Sequence, residues 1–436
     1  MDSKKLRDPG YADDTIFISI ASYRDSQLVP TIGDCIAKAH YPERLRFGIC
    51  WQHGPEEGQL PDSGLQHERF QVLDVDWRDS RGACWARAEI MKLWQGEDWY
   101  LQVDSHCRFA SGWDETLIRT MHQTRCAKPI LSTYPPPFIP SDNEILVGEP
   151  LLMAFQGFTP EGIPYMKPLA IPGWQSRTAP VRARFLAAGF LFAPGVFVEE
   201  VAYDPELYFI GEEATLTLRA FTSGYDLFHP CEAIVWHDYI RAYAMRHWDD
   251  HTTANQVSRE WGELDLLSKD RIKRLLSGQP LESYGLGSVR TLEEYEAYAG
   301  LSFRLRKGQN YTLRSEEPPN PEASPGWASE IYPWMVRITI EAVDLAPGSL
   351  EDPAFWLVAV QDEDGIEIYR RDFPGTELET LTADVPRIVL ICEFESGIIP
   401  VTWTVWPVSR SRGWLQRIKG ALAQEDYTIV LTEDDE

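Results

Sequence analysis

The chain has 436 residues, too many for one compact core, so two or three domains are expected. Its composition, 44 % hydrophobic and 25 % charged, is that of an ordinary globular protein and sets aside the disordered and fibrous classes. A formal net charge of −26 opposes nucleic-acid phosphates and anionic membranes, whereas a small nucleotide would need only a few local cations and a metal ion.

The first twenty residues hold no apolar stretch of signal-peptide length, and no later apolar run is long enough for a membrane span. The seven cysteines, Cys35, Cys50, Cys84, Cys107, Cys126, Cys231 and Cys392, are odd in number and form no CxxC pair. They read as reduced thiols of a cytoplasmic protein.

Residues 15–21 form a β-branched apolar run, the pattern of a buried strand. The segment Ser22-Tyr23-Arg24-Asp25 follows, and then a helix over about 28–39. Strands are predicted over 45–51 and 70–75. Ala83, Ala86, Ile90 and Leu93 have helical spacing within 83–95, and a strand over 99–103 runs straight into Asp104. Strands alternating with helices imply an α/β fold with a mainly parallel sheet covered on both faces. Ligands bind such sheets outside the carboxyl ends of the strands. Tyr23-Arg24 and Asp104-Ser105-His106 both fall at such ends and can converge there.

Past Tyr134-Pro135-Pro136-Pro137, the stretch to about 180 lacks periodicity and reads as a functional loop. A strand over 187–192, a helix over 212–222, a short strand over 234–237 ending at His237 and a charged helix over 257–276 come next. Thr291-Leu292-Glu293-Glu294 is a capping-box start for one more helix. Residues 315–326 contain four prolines and no large apolar residue, as a linker does. Beyond it the period changes to two. Val336, Ile338 and Ile340 alternate with Arg337, Thr339 and Glu341, and Val401, Trp403 and Val405 with Thr402, Thr404 and Trp406. These are antiparallel, half-buried strands of a small β-sandwich-like domain. The expected division is therefore 1–314, a linker at 315–327, and a β-rich accessory domain at 328–436.

Asp104 and His106 stand two residues apart just past a strand end, where both can turn toward one ion. A carboxylate oxygen with an imidazole nitrogen suits Mn²⁺ better than Mg²⁺ alone. The plain alternative is a capping aspartate beside a surface histidine. A second cluster, His247-Trp248-Asp249-Asp250-His251, places two histidines at i, i+4, a spacing that binds zinc. It lacks the glutamate of an HExxH site and reads as a polar loop feature.

Several segments together carry a resemblance: Thr15–Ser26 (TIFISIASYRDS), Gly82–Arg87 (GACWAR), Leu101–Phe109 (LQVDSHCRF), Trp113-Asp114, Leu131–Pro136 (LSTYPP) and Tyr284–Glu296 (YGLGSVRTLEEYE). In this order the chain resembles glycosyltransferase family 60, the peptide hydroxyproline and Thr/Ser α-N-acetylglucosaminyltransferases, over about residues 14–305. It is similar, more distantly, to the mucin-type polypeptide N-acetylgalactosaminyltransferases and their Asp-x-His site. The resemblance implies a GT-A-type nucleotide-sugar domain, a UDP-sugar donor, a divalent metal and retention of anomeric configuration.

The resemblance also assigns residues. Gly211-Glu212-Glu213 and the helix after it are similar to the mucin-type Gly-Glu-Asn motif. Pro230-Cys231, a strand and His237 follow, which makes His237 the third metal ligand beside Asp104 and His106. Arg241 and Tyr243 resemble mobile-loop residues that contact the diphosphate. Arg81 and Arg87 resemble arginines that contact the nucleotide, and Ser22, Tyr23 and Arg24 stand where uracil and ribose are held, with Ser105 also on the donor. Glu212 and Glu213 are the carboxylates expected at the donor sugar, and Asp114 is placed near the acceptor. Front-face and double-displacement routes both remain open. The implied acceptor is a hydroxyl of a protein or peptide. Alternatives are a glycan, a small molecule or a modified nucleobase, or a non-catalytic module that binds sugar or protein through its β-rich tail.

Overall fold

The structure, a computed structural model, describes residues 14–58, 60, 68–140, 146, 148–159, 161–241, 244–320, 332–363, 365, 367–382 and 386–430. The chain divides into two compact units: Met1–Ala154, Lys167–Ala299 and Glu317–Asn320 form one, and Phe155–Met166, Gly300–Glu316 and Pro321–Glu436 the other.

The first unit begins with β1 (Ile16–Tyr23), α1 (Leu28–Lys38), β2 (Leu45–His53), β3 (Phe70–Asp76), α2 (Ala83–Met91), β4 (Trp99–Asp104), β5 (Cys107–Phe109), α3 (Trp113–Gln123) and β6 (Pro129–Ser132). Next in the chain is a hairpin of β7 (Leu151–Phe158) and β8 (Pro164–Ala170), whose middle, Phe155–Met166, belongs to the second unit; β9 (Val181–Arg182), β10 (Phe190–Pro194), α4 (Phe197–Glu200) and α5 (Glu212–Thr222) follow in the first. Then follow β11 (Asp226–His229), β12 (Val235–His237), α6 (His247–Asp250), α7 (Trp261–Leu276) and α8 (Leu292–Ala299).

Eight of these strands form one sheet in the order β3-β2-β1-β4-β10-β6-β11-β9. β1 runs parallel to β2 and β4, β2 to β3, and β6 to β11, while β10 and the edge strand β9 run antiparallel to their neighbours. The sheet is mainly parallel, as the alternation of strands and helices implied. Ile16, Ile18 and Ile20 of β1 share a core with Leu28, Ile32 and Cys35 of α1 and Trp113 and Leu117 of α3. On the opposite face, a Cβ on Gly48 would meet Phe17 at 2.4 Å and Ile90 of α2 at 2.7 Å, so α2 lies close against that side. With both faces covered, β1 and β4 are largely apolar apart from the buried Ser19 and Gln102, and open space for a ligand is left at the strand ends.

Four stretches differ from the sequence expectation. Residues 151–170, expected to be irregular, form the β7–β8 hairpin, whose period is obscured by Gly157, Gly162, Pro164 and Pro168. β10 begins at Phe190 and not at 187, so Ala187-Ala188-Gly189 is a lead-in loop. α2 stops at Met91, and α7 begins at Trp261.

The second unit contains β13 (Leu301–Ser302), β14 (Lys307–Gly308), α9 (Asn310–Leu313), β15 (Tyr332–Glu341), β16 (Pro353–Gln361), β17 (Glu367–Pro374) and α10 (Gly375–Thr382). It continues with β18 (Arg387–Ser396), β19 (Thr402–Ser409), β20 (Gly413–Trp414), β21 (Ile418–Ala421) and β22 (Tyr427–Ile429). Two antiparallel sheets, β18-β15-β22 and β17-β16-β19-β20 with β21 also on β19, close over Val336, Ile338, Ile340, Trp356, Val358, Leu390 and Val405. This is a β-sandwich, as the period-two pattern implied. Residues 321–327 of the expected linker lie outside the described residues.

Candidate active site

β4 ends at Asp104, and Ser105-His106 turn the chain into β5. β5 pairs antiparallel with β12, opposing Cys107 to His237, and the Asp238 N–H donates to the His106 carbonyl at 3.0 Å. That pairing carries His237 to the turn from 131 positions away. His106 Nε2 then lies 3.0 Å from His237 Nε2, His237 Nε2 lies 3.0 Å from Asp104 Oδ2, and His106 Nε2 lies 3.9 Å from Asp104 Oδ2. From below, the buried Thr31 hydroxyl of α1 faces the carbonyls of Ser105 at 2.8 Å and Cys107 at 3.1 Å and accepts the Cys107 N–H at 3.0 Å.

The cluster has a carboxylate on each side. Asp25 accepts at Oδ2 from His106 Nδ1 (2.7 Å), Ser105 Oγ (2.7 Å) and Arg241 Nη2 (3.2 Å), and at Oδ1 from the Gln27 N–H (2.9 Å). Burial works to raise its carboxyl, but His106 and Arg241 outweigh this and hold it below the ordinary range. Asp104 is likewise held down against burial, by the His237 hydrogen bond and the Arg87 cation. Burial lowers His106. Arg87 is buried and donates to Asp104 Oδ1 at 2.6 Å and to Glu212 Oε1, so both of its terminal nitrogens meet carboxylates.

This donor set fits a divalent ion. A carboxylate on Nδ1 keeps the His106 proton there, which leaves the Nε2 lone pair facing Asp104 and His237. Two imidazole nitrogens and a carboxylate oxygen within 4.8 Å of one another match the ligand chemistry of Mn²⁺ and its neighbours. Among the described residues no other group of three His, Cys, Asp or Glu converges in this way. His247 and His251 stack at 3.6 Å, with His251 Nε2 on the Trp77 carbonyl and His247 Nδ1 on the Tyr208 hydroxyl, so they serve packing.

At the start of α5, Glu213 accepts from the Ala188 N–H at 3.1 Å and from the Tyr134 hydroxyl at 2.5 Å. Burial pushes its carboxyl up to about 7 despite these bonds. The next residue, Gly189, runs so close that a Cβ there would sit 3.1 Å from Asp104 Oδ2. One loop thus borders both carboxylates.

The remaining expected residues are distributed as follows. Ser22 is buried with an unpartnered hydroxyl. Tyr23 donates to Asp250 Oδ2 at 3.0 Å, and Arg24 reaches the same oxygen at 3.0 Å, Glu57 at 2.7 Å and Glu56 at 2.5 Å. Arg81 is exposed. Arg241 has an unpartnered Nε, and Tyr243 lies outside the described residues. Asp114 is not brought to the cluster. Its two oxygens accept the backbone N–H groups of His40 and Tyr41, in the α1–β2 connection at the amino end of the sheet, where it lines a small hollow with Ile16 and Leu45. Sequence reasoning missed Asp25, Tyr134 and Asp250. Asp25 had one signal, its place just past the first strand end.

The model of the glycosyltransferase (GlcNAc) family matches residues 15–66 and 56–305. Among solved structures, the chain is similar to GalNAc-T7 with UDP, GalNAc and Mn²⁺, at 15 % identity and a TM-score of 0.42, over 65 % of this chain and 54 % of that one. It is similar to S. aureus TarS 1–349 at 10 % identity and a TM-score of 0.33, over 60 % and 72 % of the two chains. For the TarS complex with UDP-GlcNAc the values are 10 %, 0.35, 61 % and 73 %. The chain spans about half the length of the GalNAc-T7 chain. No curated protein sequence matches it. The family match covers well over half of the chain and includes Asp25, Asp104, His106, Glu212, Glu213 and His237, and on that ground the chain belongs to the glycosyltransferase (GlcNAc) family.

Proposed function

We propose that the protein is a GT-A-type, metal-dependent, retaining transferase of the family 60 kind. It moves N-acetylglucosamine from UDP-GlcNAc to a hydroxyl of a protein or peptide. The observation that carries this reading is the convergence of Asp104, His106 and His237 at the carboxyl end of β4, with Asp25 behind His106. Those three residues would hold Mn²⁺, or Mg²⁺ in its place. The bound ion would neutralise charge on the leaving diphosphate.

The protein's own groups take the other roles. Ser22, Tyr23, Arg24 and the exposed Arg81 bind the uridine, and Ser105, Arg241 and Tyr243 serve the diphosphate side. Arg87, enclosed by carboxylates, orients Asp104 and Glu212. Glu213 meets neutral donors, and its raised carboxyl suits a sugar-facing group that holds a proton near neutral pH. Asp114 fixes the α1–β2 connection. In this reading residues 1–314 are the catalytic domain, 315–327 the linker and 328–436 the accessory domain. The enzyme works in the cytoplasm; among the described residues no helix is long and apolar enough to cross a membrane.

The test is release of UDP from UDP-GlcNAc with Mn²⁺, followed by intact-mass analysis of candidate acceptor proteins. Chelation and Asp104→Ala should each lower turnover on the order of 10³-fold, because a metal supplies several kcal/mol of transition-state stabilisation. Turnover that survives both treatments would sink the metal-dependent reading. A mass increment other than that of N-acetylglucosamine would replace the donor.

A further inference from the structure

We propose that Asp25 is the positioning residue of the metal site: its Oδ2 fixes the His106 ring with the proton on Nδ1 and Nε2 turned toward Asp104 and His237. The proposal rests on the metal reading of that cluster.

Two imidazole nitrogens face each other at 3.0 Å between His106 and His237. A neutral His106 has two choices. With its proton on Nε2 it donates to His237 and loses the lone pair that a metal ion needs. With its proton on Nδ1 it donates to Asp25 at 2.7 Å and keeps that lone pair. The carboxylate decides between these tautomers, and it is itself fixed. The Asp25 side chain is fully buried, its Oδ1 accepts the Gln27 N–H, and its Oδ2 also collects Ser105 Oγ and Arg241 Nη2. The backbone points to the same role. Arg24, the last residue before Asp25, has φ of +45°, a conformation that non-glycine residues rarely adopt. Such a turn at the end of β1 brings residue 25 to the Ser105-His106 turn, a local strain of the kind found at functional sites.

The experiment has two arms. In the first, ¹⁵N-histidine spectra of the metal-free protein, with the His106 signals identified through His106→Gln, should show the His106 proton on Nδ1. A proton on Nε2 in the unaltered protein overturns the proposal without any Asp25 variant. In the second arm, Mn²⁺ binding is followed by electron paramagnetic resonance. Asp25→Asn and Asp25→Ala should weaken it by about 10–100-fold, the usual effect of losing such an outer partner. Variant affinities within twofold of the unaltered protein overturn the role of Asp25 alone. No Mn²⁺ binding by the unaltered protein overturns the metal reading, and this proposal with it.

Discussion

Glu212 and Glu213 are sequence neighbours with opposite surroundings. Glu212 meets the Arg87 guanidinium, whereas Glu213 meets only a hydroxyl and a backbone N–H. The sequence shows two carboxylates at a helix start and cannot say which is compensated, because Arg87 comes from 125 positions away. Asp25 escaped notice for the same reason: its partners at 105, 106 and 241 are adjacent only in space. The carboxyl of Glu213 stands at about 7 in the folded protein against an ordinary value of 4.5. Its contribution to stability is complete below the ordinary value and is lost as pH rises through the folded one. Glu213→Gln removes that loss. The variant should gain on the order of 1–3 kcal/mol relative to the unaltered protein between about pH 5 and about pH 8, read from denaturant unfolding at each pH. A constant difference between the two proteins would refute this environment for Glu213.

At the scale of elements, α5 carries both glutamates at its first turn and is clamped at its last. Thr222, its final residue, accepts through its carbonyl from the N–H groups of Val289 (2.9 Å) and Arg290 (3.0 Å), and through its hydroxyl from Gly287 (2.8 Å). Arg290 reaches on to the Tyr225 carbonyl and Asp226. The YGLGSVR stretch, distinctive in the sequence, is therefore a brace for α5. A Cβ on Gly287 would lie 2.4 Å from the Ser223 backbone nitrogen. Gly287→Ala should cost about 1–3 kcal/mol or more in chemical denaturation, since backbone must shift. A cost near zero would show that the brace yields. The capping box at Thr291 and Glu294 formed as its spacing required, with the two reciprocal bonds at 2.7 and 3.1 Å. β1 and β4 were legible because a buried strand is mostly apolar, here interrupted inside by Ser19 and Gln102. The β7–β8 hairpin was not, because glycines and prolines punctuate its strands as they do loops.

For the whole molecule, the charge of −26 acts on two partners of opposite sign. Under the proposed function it would draw in a divalent cation and oppose an anionic nucleotide sugar. Raising ionic strength from about 0.01 M to about 0.15 M shortens the Debye length from roughly 30 Å to roughly 8 Å. Mn²⁺ binding should weaken over that range while the KM for UDP-GlcNAc falls, as titrations and initial rates would show. Both constants moving the same way would mean that local charges at the strand ends dominate. The second unit shows the limit of pattern reading at this scale. The change of period near residue 330 announces the sandwich. Nothing periodic announces that Phe155–Met166 joins it, through Gln156 to the Glu367 carbonyl and Tyr165 to the Ile368 carbonyl.

The Thr31 hydroxyl ties a helix to the turn that holds Ser105 and His106. Valine there would match its shape and leave buried carbonyl and N–H groups without a partner, whereas serine would keep the bonds and lose a methyl. The hydroxyl makes α1 and the turn one mechanical part. A helix that slid along the sheet would pull the imidazole with it, so the seating of α1 sets how far His106 stands from His237.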